Sequence, residues 1–157
     1  MKHWFWYLLG LLAVAGVGGM PFSGSDVAQL QPVQVVGIEM NDGVVTVSTD
    51  TGDSGVGKDL QGAFQNLKDT TMGQVFLETA EYLLVSPSAM GLMQELQGYL
   101  RPGCGVCVME ADVDMEKVGL YLEAHPPMVT LQDCRVKQVA LPRLIMNREG
   151  RMELIAE

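Results

Sequence analysis

The chain has two histidines, His3 and His125, and three cysteines, Cys104, Cys107 and Cys134, in 157 residues. That scarcity excludes much of the chemistry a small domain can carry. A serine–histidine relay needs a histidine base held by a carboxylate, yet His3 sits in an apolar N-terminal segment and His125 lies far downstream of the serines considered below. A zinc site built from the cysteines needs a fourth ligand, and His125 is the only histidine candidate. Basic residues are also few: ten Lys and Arg face nineteen Asp and Glu, for a formal charge of −9. Bulk charge therefore gives no hold on nucleic acid or anionic lipid. Between Lys2 and Asp26 there is no Asp, Glu, Lys or Arg at all.

That uncharged stretch is the clearest signal present. Met1-Lys2-His3 gives a basic tip, and Trp4 to Phe22 is an apolar run close to the ~20 residues that span a bilayer. Trp4, Phe5, Trp6 and Tyr7 suit a membrane interface, and Ala13-Val14-Ala15 suits cleavage. Residues 1–22 are read as a signal peptide or membrane anchor, with Lys2 inside and the rest exported. No cysteine follows the run directly, so a lipid attachment site is missing. Residues 23–32 read as a linker in which Asp26–Leu30 makes one helical turn closed by Pro32. Residues 33–157 form one domain, and a hydrophobic content of 48% suffices for a core.

The domain is organised around Val44–Leu67. Val45, Val47 and Thr49 alternate with Thr46 and Ser48 as a half-buried strand requires. Leu60, Ala63, Phe64 and Leu67 mark one helix face, with Asp59 placed to cap it. Between them, Gly52–Gly57 reads as a flexible glycine-rich connection. Two signatures nearly match inside it. Gly52-x-x-x-x-Gly57-Lys58 has P-loop spacing between a strand and a helix, but the Mg²⁺-binding hydroxyl position is Asp59, a carboxylate where phosphates should sit. Gly52-Asp53-Ser54-Gly55 looks like the nucleophile segment of trypsin-like proteases, without the upstream histidine.

Around this centre, Val33–Met40 reads as a strand turning through Asn41-Asp42-Gly43 into Val44–Asp50. Thr71-Met72-Gly73 breaks the first helix, and Gln74–Leu77 and Ala80–Val85 are β-favouring. Ser86-Pro87 starts a second helix, with Ala89, Leu92, Met93, Leu96 and Leu100 on one face. Val106–Ala111 is the next strand. Asp112 or Asp114 caps a third helix facing inward through Met115, Val118, Tyr121 and Leu122, stopped by His125-Pro126-Pro127. Val136–Leu141 reads as a further strand. Leu144–Met146 and Met152–Ile155 form a closing hairpin. The expected class is α/β (α+β): a mixed sheet with helices packed on it, preceded by the N-terminal signal or anchor helix.

Several of these segments resemble the N-terminal domain of the Ger(x)C spore germination proteins, the C subunits of germinant receptors. The resemblance is carried by Asp26-x-x-x-Leu30 leading into Val35-Val36-Gly37-Ile38, and by Gly57-Lys58-Asp59-Leu60-x-x-Ala63-Phe64-x-x-Leu67. Phe76-Leu77 followed by Tyr82-Leu83-Leu84-Val85-Ser86, and Leu141-Pro142 before the last hairpin, extend it. It runs from about Asp26 to the C-terminus. The family's lipid-bearing cysteine and later domains are not in this sequence, and Thr79-Ala80 fills a position that is usually polar. The resemblance implies an extracytoplasmic, membrane-associated, non-enzymatic assembly domain, at the cell membrane or spore inner membrane. Its partners would be membrane or exported proteins such as germinant-receptor subunits, with no cofactor.

The remaining chemistry-bearing residues admit plainer readings. Cys104-Gly105-Val106-Cys107 is a CxxC, but a helix ends before it and a strand follows, so the helix N-terminus that lowers a redox thiol's pKa is missing. A structural disulfide or buried thiols remain. Cys104 with Cys107, Cys104 with Cys134 and Cys107 with Cys134 are all open, with one thiol left over. Asp112, Asp114 and Glu116 cluster as calcium ligands do, but without the EF-hand pattern; helix capping explains them with fewer assumptions. The eleven methionines read as core filler.

Overall fold

Asp42 and Gly43 have positive φ, +51° and +76°, as a two-residue type I′ hairpin requires. In the computed structural model, which describes residues 30–110, 113–136, 139–147 and 149–156, this turn joins β2 (Val35–Asn41) to β3 (Val44–Thr49). Val45, Val47 and Thr49 are buried, as their alternation predicts. β1 (Leu30–Pro32) precedes the hairpin. Leu30 is thus extended rather than helical, and Asp26–Gln29 lie outside the described residues.

The glycine segment is not a flexible connection. Ser54–Gly57 forms β4 and pairs antiparallel with β3, from Val45↔Gly57 to Ser48↔Ser54. Its glycines face α1 (Leu60–Thr70), which buries Leu60, Ala63, Phe64 and Leu67. Asp59 caps that helix by accepting the Gly62 N–H at 2.7 Å.

β5 (Gln74–Phe76) pairs in parallel with β1 as a separate two-stranded sheet, and a 3-10 turn at Leu77–Thr79 leads into β6 (Tyr82–Val85). The expected helix after Ser86-Pro87 is broken into a 3-10 turn, Pro87–Leu92, and α2 (Met93–Leu96). Gly91 and Gly98 weaken helix propagation there, yet Ala89, Leu96 and Leu100 are buried as the periodicity requires.

β7 (Gly105–Met109) and α3 (Met115–Ala124) follow; Ala111 and Asp112 lie outside the described residues. The expected strand Val136–Leu141 is not formed by its described residues: Val136 ends α4 (Leu131–Val136), 139–142 have no regular structure, and 137–138 lie outside the described residues. A capping box starts that helix earlier. Asp133 Oδ2 accepts the Thr130 N–H at 2.9 Å, and Thr130 Oγ1 accepts the Asp133 N–H at 3.3 Å. β8 (Arg143–Met146) and β9 (Met152–Ile155) form the closing hairpin.

The main sheet has seven strands in the order β4-β3-β2-β6-β7-β8-β9. β2, β6, β7 and β8 run parallel, and β3 and β9 are antiparallel to their neighbours. The fold is therefore a mixed α/β sheet with helices on it. Each face carries its own core. On one, Val36, Ile38, Val47, Leu83, Val85 and Val106 meet side chains of α1, α2 and α4. On the other, Val35, Leu84, Cys107 and Leu144 meet Val118 and Leu122 of α3. The start of α3 presses directly on the sheet: a Cβ on Gly37 would stand 2.8 Å from Met115 Cε.

Candidate functional site

The Gly52–Lys58 segment spends its backbone on structure. β4 pairs with β3, the Val56 N–H donates to Asn66 Oδ1 at 2.9 Å, and the Gly52 N–H donates to the Thr49 carbonyl at 3.1 Å. A phosphate cradle needs such N–H groups converging on an anion. Instead the Asp59 carboxylate occupies the N-terminus of α1, and Lys58 is exposed beside it. Ser54 lies in β4, while His125 ends α3, stacked on Tyr121 with ring centroids 4.8 Å apart.

Cys104, Cys107 and Cys134 are free thiols in this structure. Cys104 packs with the core under α1 and α2, and Cys107 with the core under α3, so the two halves of the CxxC lie on opposite faces of the sheet. Burial pushes both thiols up to about 12, and nearby Arg101 only partly offsets this at Cys104. That is the reverse of an activated redox thiol. Cys134, on α4, is half-buried beside the same core as Cys104. Its thiol is also raised, by burial and then by Asp133. Among the described residues no three His, Cys, Asp or Glu side chains converge as metal ligands.

Asp114 caps α3, accepting the Lys117 N–H at 3.4 Å and pairing with Lys117 Nζ at 2.8 Å. With Glu116, Asp50 and Asp53 it lines an open cleft of about 390 Å³. Two of its neighbours there have structural duties. Both Asp50 oxygens accept the Gln34 N–H at 3.1 Å, and Asp53 Oδ2 accepts from Thr51 Oγ1 at 2.9 Å.

Two surfaces went unread in the sequence. The first is the β3–β4 wing of the sheet. α3 packs over the parallel strands, and beyond it Val44 and Val56 are 40% and 51% exposed. Val56 stands opposite Thr46, so Val44 and Val56 are diagonal neighbours on one face. The alternation of β3 already held this: if Val45 and Val47 face in, Val44 faces out. The second is a cleft of about 500 Å³ along β5, bounded by Lys68 on α1 and by Gly98 and Tyr99. The Tyr99 ring is held by stacking on Phe64, with centroids 4.4 Å apart.

No family model matches the chain, and no curated protein or solved structure matches it either. Among the described residues no helix is long and apolar enough to cross a membrane; residues 1–22 lie outside them.

Proposed function

We propose that this chain is a non-catalytic interaction domain on the extracytoplasmic side of a membrane, in an assembly of the germinant-receptor kind. One observation carries the reading: the β3–β4 wing exposes Val44 and Val56, diagonal neighbours, on one face. Two exposed valines on the same open sheet face suit a protein contact. The apolar leader at residues 1–22 supports membrane association, and the Ger(x)C-like motifs support the kind of assembly.

The test is site-specific photocrosslinking in membranes of sporulating cells, with the crosslinker at Val56 or, as a control, at exposed Lys117. Germinant-receptor membrane subunits captured from Val56 and not from Lys117 support the proposal. A protein found in the medium, cut near Ala15 and crosslinked to no receptor component, ends it.

A further inference from the structure

A cleft of about 370 Å³ lies between α2 and α4, and three sulfur side chains line it: Met90, Met93 and Cys134. Met90 belongs to the 3-10 turn Pro87–Leu92, and the Met93 N–H closes that turn on the Met90 carbonyl. Side chains three residues apart in a 3-10 turn eclipse one another, so both thioethers leave the same side. α4 packs beside α2 and brings Cys134 to the same cleft. The other side chains lining the cleft are Gln94, Val139 and Leu141. Among the described residues no carboxylate, imidazole or ammonium lines it.

From this set we infer that the cleft binds a soft monovalent cation, Cu(I), through the Cys134 thiolate and the Met90 and Met93 thioethers. Thiolate and thioether sulfur select Cu(I), whereas Ca²⁺ and Mg²⁺ require oxygen ligands. Charge agrees with the surroundings. One thiolate neutralises Cu(I), so an apolar cleft takes up no net charge, whereas Zn²⁺ with the same ligands would leave one unpaired positive charge. Cys104 Sγ, by contrast, already donates to the Gly105 carbonyl at 3.9 Å. Met90 is 38% exposed and Met93 and Cys134 are half-buried, so an ion can enter; Cys104 and Cys107 are closed off. Binding forms a Cu–S bond at Cys134 and releases the thiol proton to solvent, with no change of oxidation state.

The test is an anaerobic titration of the full chain against the Cu(I)–bicinchoninate complex. The expected result is one equivalent of Cu(I) withdrawn, with sulfur-only neighbours in X-ray absorption. Cys134→Ser and the double variant Met90→Leu/Met93→Leu should each lower the affinity roughly tenfold or more. Met→Leu nearly conserves volume, and near-UV circular dichroism checks that each variant is folded. Failure to withdraw Cu(I) overturns the proposal. So does equal withdrawal by folded Cys134→Ser, which places the metal elsewhere. An unchanged affinity in the folded Met double variant overturns it as well, because the thiol would then act without the thioethers.

Discussion

Gly57 in β4 lies against Ala63 in α1 so closely that a Cβ on it would stand 2.3 Å from the Ala63 nitrogen. Gly55 meets the same helix: its Cβ would stand 2.3 Å from the Ala63 carbonyl oxygen and 2.4 Å from the Leu67 nitrogen. These atoms are backbone and cannot swing aside. The two glycines are therefore what allow a helix to lie directly on an edge strand, and the spacing that mimics a P-loop has a packing cause.

Gly57→Ala and Gly55→Ala should each destabilise the fold by about 1–3 kcal/mol or more, as overpacking does. Lys58→Ala, on an exposed side chain, should stay within about 0.5 kcal/mol. Urea unfolding of the three variants checks this. If Lys58→Ala were the costly one and the glycine variants were neutral, the packing account of this segment would fail.

The buried thiols predict a reactivity pattern. With Cys104 and Cys107 raised to about 12 and enclosed, the native protein should react with a thiol reagent at Cys134 alone, and at three sites once denatured. There is also a pH consequence. The folded thiols keep their protons to about pH 12, whereas unfolded thiols ionise from their ordinary value of 9.0. The unfolded state therefore binds fewer protons in that window, and stability present below pH 9 is lost as pH rises toward 12. Denaturant midpoints measured across pH 8 to 11 should fall, and Cys107→Ala should flatten the slope.

At the acid end the relevant group is Asp114. The Lys117 side-chain hydrogen bond, followed by the Lys117 backbone N–H, holds its carboxyl below the ordinary 3.8. A lowered folded pKa gives a contribution that is present above the unfolded pKa and lost as pH falls through the folded one. The α3 amides should therefore exchange faster with solvent below pH 4; Asp114→Asn and Asp114→Ala should both remove that onset, since neither side chain titrates, and the Asn variant should exchange more slowly than the Ala variant because Asn still caps.

Where a residue's local chemistry and its tertiary role agree, the sequence was legible. Asp42-Gly43 demands a tight hairpin, Asp59 caps the helix that Leu60, Ala63, Phe64 and Leu67 bury, and Asp114 caps α3. The failures come from places where tertiary contact overrules propensity. β4 holds two glycines in four residues, a composition depleted in strands, and only the approach of α1 explains it. Val136–Leu141 has the apolar content of a strand, but the Thr130–Asp133 capping box precedes it and commits the chain to a helix. The helix after Pro87 was right in its buried face and wrong in its continuity. Nothing in the spacing of Met90, Met93 and Cys134 joins them; they line one cleft only because the Pro87–Leu92 turn and α2 pack beside α4.

Tyr121 offers the last test, on the far edge of the sheet. Its hydroxyl oxygen accepts the Leu154 N–H at 3.0 Å, from α3 to β9. β9 is an outer strand, and an outer strand presents unpaired backbone groups that can recruit another chain. The phenol satisfies one of them and ties the hairpin to α3, where Met152 and Leu154 already pack against the second core. Tyr121→Phe keeps the ring and its stacking on His125 but removes the acceptor. It should cost about 1 kcal/mol, and the Leu154 amide should exchange markedly faster while the β2 and β6 amides keep their protection. If exchange at Leu154 is unchanged, β9 is held by its pairing with β8 alone and the tyrosine is only packing. If the variant associates as its concentration rises, the hydroxyl also shields the edge.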